Sequence, residues 1–151
     1  NAFCVKGLNE RIAIMRQDPV LFNDTLRNNL TMYRDICDDE LIALLQKLNL
    51  HKFATPEGLD SMIREGGSNL SGGERKRIAL ARTLLRKAPI TIVDEPLANV
   101  DSETAEKMED ILTELSGGIV FVITHHFSDD KKKAFAKEFR FSHNHVKHGG
   151  I

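Results

Sequence analysis

The sequence predicts an α/β protein, a partial parallel sheet carrying a mainly helical insertion. Three observations predict it. Short apolar runs at Ile12–Met15, residues 90–93 and Ile119–Ile123 read as strands, the latter two as buried ones. From residue 90 onward, strand and helix patterns alternate, which is the order of a parallel sheet. Between residues 19 and 86 no strong strand pattern occurs and helical signals dominate. The expected division is therefore a sheet portion over 1–18 and 87–151, with a helical subdomain over 19–86.

Each element has its own signal. Residues 12–15 run into Gln17-Asp18-Pro19, a strand followed by a turn. Residues 25–30 suit a short helix. Leu41, Leu44, Leu45 and Leu48 repeat at helical spacing behind Asp38 and Asp39, which are candidate N-caps. Pro56, Gly58, Gly66 and Gly67 mark residues 55–70 as mostly loop. Ser71 opens a helix, because Glu74 three residues on completes the spacing of a capping box. Pro89 is expected to end that helix, since proline cannot continue one. Met108, Ile111, Leu112 and Leu115 form the next amphipathic helix, with Gly117 as its stop and Asp101 or Ser102 as its N-cap. Residues 128–137 read as a further helix. Phe139-Arg140-Phe141 and Val146 flank His143-Asn144-His145 as a small terminal hairpin.

The bulk properties narrow the function. A chain of 151 residues buries roughly 70% of its unfolded surface, enough for a real core. Its 41% hydrophobic and 28% charged content is ordinary for a water-soluble domain. A net charge of −1 gives no basis for nucleic acid or anionic lipid as a partner. The Lys131-Lys132-Lys133 run reads as one solvated helical turn. Cys4 and Cys37 stand far apart without metal spacing, as reduced thiols do. The longest aliphatic or aromatic run, Ile119–Ile123, is far short of the roughly 20 residues that a spanning helix needs. No secretory leader pattern opens the sequence. His143, His145 and His148 lack acidic or cysteine partners at ligand spacing, so no metal site is expected of them.

Two strings carry chemistry. The first is Leu70-Ser71-Gly72-Gly73-Glu74, followed by Arg75-Lys76-Arg77. A serine and two residues without side chains at a helix start expose N–H groups at the positive end of the helix dipole, which favours a phosphate. Taken alone, the same string is also an ordinary capped helix. The second is Ile90-Thr91-Ile92-Val93-Asp94-Glu95-Pro96, two carboxylates at the C-terminal end of a buried strand. Ligands of open α/β sheets bind at that end, although polar residues also simply terminate strands.

Together the strings resemble the ATP-binding-cassette (ABC) ATPases. Residues 70–74 resemble the LSGGQ signature with Glu74 in place of glutamine, and the likeness continues through the helix Ile78-Ala79-Leu80-Ala81-Arg82-Thr83-Leu84-Leu85. Residues 90–95 resemble a Walker B motif. The resemblance implies a P-loop NTPase (RecA-like) sheet, with Asp94 helping to hold Mg²⁺ and Glu95 orienting or activating water. Asp101 falls at the D-loop position, although Ala98 and Asn99 depart from the usual residues. His125 matches the switch histidine, which contacts the γ-phosphate as a donor. Gln17 matches the Q-loop glutamine, which contacts Mg²⁺ or water. Leu70, Ser71, Gly72, Gly73 and Glu74 would face the nucleotide of a second subunit. Arg64-Glu65-Gly66-Gly67 and residues 20–29 resemble the exporter type, with Glu65 as a contact to a transmembrane partner. The implied partners are a second nucleotide-binding domain, head to tail, and transmembrane domains at the cytoplasmic face of a membrane.

One part of the pattern is missing. A Walker A loop reads Gly-x-x-x-x-Gly-Lys-Ser/Thr, and no glycine of this sequence is followed by lysine. Phosphoryl transfer is mostly positioning and electrostatics, so the chain by itself is expected not to hydrolyse ATP. A sheet without that strand is expected to leave unpaired edges and apolar surface, and hence to be marginally stable or to self-associate. Two other readings stay open. One is a non-catalytic module that docks on a membrane domain through residues 19–86. The other is a piece of a soluble ABC ATPase of DNA repair or translation. Against the latter, the interval from Gln17 to Leu70 leaves no room for a long coiled coil, and no basic stripe supports nucleic acid.

Overall fold

The structure is a computed structural model that describes residues 11–115, 117–142 and 145–149. Strands β1 (Ile12–Met15), β4 (Ile90–Asp94) and β5 (Ile119–Ile123) form a parallel sheet in the order β1-β4-β5. Its register pairs Met15 with Val93, and Asp94 with Ile123. The three apolar runs are the three strands, as expected, but β5 is not the buried strand expected: Ile119, Phe121 and Ile123 lie exposed at the edge of the sheet among the described residues.

The intervening segment is mainly helical. It comprises α1 (Leu26–Thr31), α2 (Asp38–Lys47), α3 (Pro56–Leu59) and α4 (Gly72–Leu85). A two-residue ladder joins β2 (Asp24–Thr25) to β3 (Met62–Ile63). The region expected to be loop over 55–70 thus holds a turn of helix, a ladder strand and a 3-10 turn at Glu65–Gly67. Thr55 caps α3 by accepting from the Gly58 N–H, with Pro56 at the first helical position. Helix α2 is preceded by Cys37, whose side chain makes no capping bond, while Asp38 and Asp39 sit inside the first turn, where they face the helix dipole favourably.

Helix α4 joins the two parts. Its buried face carries Ile78, Ala79, Leu80, Ala81 and Leu85. It packs on β1 and β4 as well as on α1, so Met15 and Val93 share one core with Leu26, Leu30 and Leu45. The helix ends at Leu85, four residues ahead of Pro89. Lys87 turns the chain with φ 48°, so the stop is a backbone reversal ahead of the proline.

Helix α5 (Ser102–Glu114) is capped by Asp101, which accepts from the Thr104 N–H at 3.0 Å. Helix α6 spans only Asp129–Lys132, shorter than the expected 128–137. The chain turns after it, and Phe135 packs edge-on against Phe127 at 5.5 Å. Residues 131–133 carry three ammonium groups and no apolar stripe to continue a helix against the core. Strands β6 (Glu138–Ser142) and β7 (His145–Gly149) pair antiparallel, the expected hairpin. Cys4 and His143 lie outside the described residues.

One face of the sheet is covered and the other is not. Ala13, Met15, Thr91 and Val93 are buried. On the opposite face Ile14, Ile119, Phe121 and Ile123 are exposed, Phe121 by 50%. Parallel sheets are ordinarily covered on both faces. Among the described residues β5 also has no strand on its outer edge.

Candidate active site

The strand register puts the candidate residues at one end of the sheet. Gln17 follows β1, Asp94 ends β4 with Glu95 directly after it, and His125 follows β5. These are the C-terminal ends of three adjacent strands, where open α/β sheets place their ligands.

Glu95 and His125 meet. The Glu95 carboxylate Oε1 lies 3.4 Å from His125 Nε2. The glutamate side chain is 12% exposed and the imidazole 89% exposed. A shielded acceptor therefore points at a ring that reaches into solvent. Glu95 adopts φ 46°, a left-handed conformation uncommon for a residue with a side chain. Its N–H donates to the Ile123 carbonyl at 2.8 Å, and its own carbonyl accepts from Lys76 Nζ at 2.8 Å.

The segment that bears His125 is pinned from below. Glu109 on α5 is buried and accepts from the Ser128 N–H at 2.9 Å and from the Ser128 hydroxyl at 2.6 Å. Thr124 Oγ1 accepts from the His126 N–H at 3.1 Å and donates to the His126 carbonyl at 2.8 Å. His126 thus shapes the turn while His125 faces the glutamate. An open depression beside this turn is lined by residues 97–100, Glu109 and 125–128.

The start of α4 is a second feature. The capping box is complete: Ser71 Oγ accepts from the Glu74 N–H at 3.1 Å, and Glu74 Oε2 accepts from the Ser71 N–H at 2.8 Å. Gly72 is exposed, and a Cβ on it would meet nothing closer than Arg75 Nη2 at 4.0 Å. A Cβ on Gly73 would lie 3.7 Å from the Asn99 carbonyl, so the loop before Asp101 adjoins the helix start. Leu70 is buried and anchors the motif to the core.

Asp101 serves as the α5 cap. The Thr104 N–H bond, aided by the Thr104 side chain and Arg77, holds its carboxyl below the usual range. Glu74 is affected by opposing causes. Partial burial pushes its carboxyl up, but bonds from Lys52 and the Ser71 N–H together leave it below the ordinary value.

Gln17 is exposed just outside β1. Beyond it Val20 and Phe22 are exposed, and Arg82 stands over the Phe22 ring and donates to the Val20 carbonyl at 2.9 Å. The 3-10 turn at Glu65–Gly67 lies alongside, because a Cβ on Gly67, which has φ 70°, would come within 3.1 Å of Leu21. Asn69 braces that turn through the Arg64 N–H and the Met62 carbonyl.

A magnesium ion carried with a nucleotide fits this donor set. Asp94 and Gln17 stand at the ends of neighbouring strands and would offer two oxygens, and Mg²⁺ takes only one or two protein carboxylates beside phosphates and water. Among the described residues no group of three His, Cys, Asp or Glu forms an all-protein cage.

The ABC transporter family model matches residues 4–98. The chain belongs to the ABC transporter family. It is 42% identical over 126 residues to an ATP-dependent lipid A-core flippase of Syntrophus aciditrophicus, covering 81% of this chain and 21% of that protein. It is 40% identical over 126 residues to ABC transporter C family member 12 of Dictyostelium discoideum, covering 82% of this chain and 10% of that protein. The structure of a bacterial Atm1-family ABC exporter with ATP bound matches it with a TM-score of 0.71 at 33% identity, over 80% of this chain and 22% of that one. The chain is thus an ABC-transporter nucleotide-binding portion of exporter type, and it spans about a fifth of the length of the flippase relatives it matches. Among the described residues no helix is long and apolar enough to cross a membrane.

Three polar residues at these sites carried no sequence signal. Lys52, Lys76 and Glu109 each act on a partner 19 or more residues away. A contiguous motif does not announce such contacts.

Proposed function

We propose that the chain is the C-terminal part of an exporter ATPase domain, coupling ATP binding and hydrolysis to transport. The observation that carries this is the Glu95–His125 pair at the sheet's C-terminal end, 3.4 Å apart and beside Asp94. Glu95 accepts a hydrogen bond from the attacking water and takes its proton. His125 donates to a γ-phosphate oxygen, which it does whether neutral or charged. Asp94 and Gln17, at the ends of neighbouring strands, would hold Mg²⁺, which when bound would supply positive charge against that developing on the phosphates.

Ser71, Gly72 and Gly73 serve a different nucleotide, that of a second domain docked head to tail. The Ser71 hydroxyl accepts within the capping box and keeps its own proton to donate. The depression is lined by residues 97–100, which run directly into Asp101, and by residues 125–128, which suits communication between domains. The exposed Val20, Phe22 and Met62 with the Glu65 turn suit a transmembrane partner. A position at the cytoplasmic face of a membrane goes with this reading.

The 151 residues contain no Walker A motif. Alone, the chain neither grips nor hydrolyses ATP, and it acts in trans on a partner that holds the triphosphate. The test is to mix the chain with a Walker A-bearing domain and measure ATPase. The rate is expected to rise with added chain and to fall back with Ser71→Phe. Confirmed association with no rise in rate defeats the trans role. It would leave the non-catalytic docking module, which the same surface of Val20 and Phe22 supports.

A further inference from the structure

We propose that Lys76 is a positioning residue for Glu95, tying the phosphate-facing start of α4 to the carboxylate that orients water. The inference rests on the reading of Glu95 given above and names the device that holds it.

Lys76 sits between Arg75 and Arg77, both of which are half-buried, while Lys76 is only 7% exposed. Burying an ammonium is costly unless it finds an acceptor. The acceptor here is the carbonyl of Glu95, 2.8 Å from Nζ. That residue has a left-handed backbone, φ 46°. Its peptide groups are fixed from two sides. Strand β5 holds the N–H through the Ile123 carbonyl, and α4 holds the carbonyl through Lys76. With both held, the carboxylate stays largely shielded and faces His125.

The position of Lys76 along α4 gives the tie its consequence. It lies five residues past Ser71, about 7.5 Å along the axis at ~1.5 Å per residue. A shift of α4 when Ser71 to Gly73 take up a phosphate would be delivered to the Glu95 peptide through a single charged hydrogen bond. One helix would thereby link the nucleotide it covers in the partner to the hydrolytic carboxylate of its own subunit.

The tie is tested first on the unmodified 151-residue chain by NMR. A scalar coupling across the hydrogen bond between Lys76 Nζ and the Glu95 carbonyl carbon is expected. Its absence in the folded chain overturns the proposal without any variant. In Lys76→Met, the Glu95 carbonyl carbon resonance should move and Glu95 amide exchange should rise at least tenfold, with β1 amides unchanged. Lys76→Gln, which keeps a donor, should recover most of both. An unmoved Glu95 in folded Lys76→Met overturns the tie.

In an ATP-hydrolysing assembly that includes the chain, Lys76→Met should lower kcat on the order of 10- to 100-fold, as misplacement of a reacting group does. KM for ATP should stay within about twofold, since the loss is of geometry and not of ground-state binding. Lys76→Gln should restore most of the rate. If Glu95→Gln abolishes turnover while Lys76→Met leaves it unchanged, the positioning role is overturned. If Glu95→Gln also leaves turnover unchanged, the reading of Glu95 itself fails, and the catalytic meaning of Lys76 fails with it.

Discussion

Lys52 Nζ lies 2.6 Å from Glu74 Oε1, so the acidic residue at the fifth position of the signature is paired and not bare. Glu74 divides its two oxygens between Lys52 and the Ser71 N–H. A negative charge at a helix start favours the helix dipole but competes with an incoming phosphate. Lys52, reaching from the 3-10 turn at His51–Phe53, offsets that competition.

The pairing predicts a pH dependence with a definite sign. The folded-state pKa of Glu74 lies below its ordinary value of 4.5. Its contribution is therefore present above the unfolded value and lost as pH falls through the lower folded value. Urea denaturation from pH 6 to pH 3 should show a component of the acid loss that is smaller in Lys52→Met. Identical pH profiles for the two proteins would contradict it.

The capping box makes a separate prediction. Ser71→Ala removes the acceptor of the Glu74 N–H and should cost about 1 kcal/mol of stability. Ser71→Asp should retain most of it. Chemical denaturation of both variants checks the ordering.

Glu109 should be the more sensitive carboxylate. It is buried and accepts twice from Ser128, with Lys131 Nζ at 3.8 Å. Glu109→Leu leaves the Ser128 N–H without its acceptor, a loss of roughly 1–3 kcal/mol. The same variant should shift the His125 and His126 amide resonances by NMR while leaving those of α2 in place.

Gly118 predicts a steric failure. A Cβ there would sit 2.6 Å from the Pro89 carbonyl, the group that accepts from the Ile119 N–H at 2.9 Å. Gly118→Ala must push β5 away from β4 at its first residue. Overpacking of this kind costs about 1–3 kcal/mol, measurable as a lowered denaturation midpoint.

Much of the fold was legible because its signals are contiguous. Ser71 and Glu74 announce a capping box within four residues, and the three apolar runs announce three parallel strands. The terminal hairpin was legible from Phe139, Phe141 and Val146 on either side of a polar turn, but its register was not. The extent of α6 was not legible, because the chain turns after Lys132 and Phe135 packs back on Phe127, a contact between residues on either side of the helix. The stop of α4 was assigned to Pro89, whereas Lys87 reverses the chain first. At the site, Gln17, Asp94, Glu95 and His125 were nameable from motifs. Lys76 and Glu109 were not, since their roles arise only when α4 and α5 pack beside strand ends distant in sequence.

The uncovered sheet face bears on the isolated chain. Ile14, Ile119, Phe121 and Ile123 form an apolar surface beside the edge of β5, which is unpaired among the described residues. Such surfaces and edges promote association. Sedimentation velocity should show oligomers that Phe121→Lys disperses. A monomer at all concentrations would contradict the expectation.

Calorimetric titration of Mg-ATP into the isolated chain bears most directly on the whole reading. The function proposed above gives the chain the groups that sense and cut a γ-phosphate, while its 151 residues contain no Walker A loop. No saturable heat is predicted, with or without Asp94→Asn. Saturable, tight binding that Asp94→Asn abolishes would contradict it.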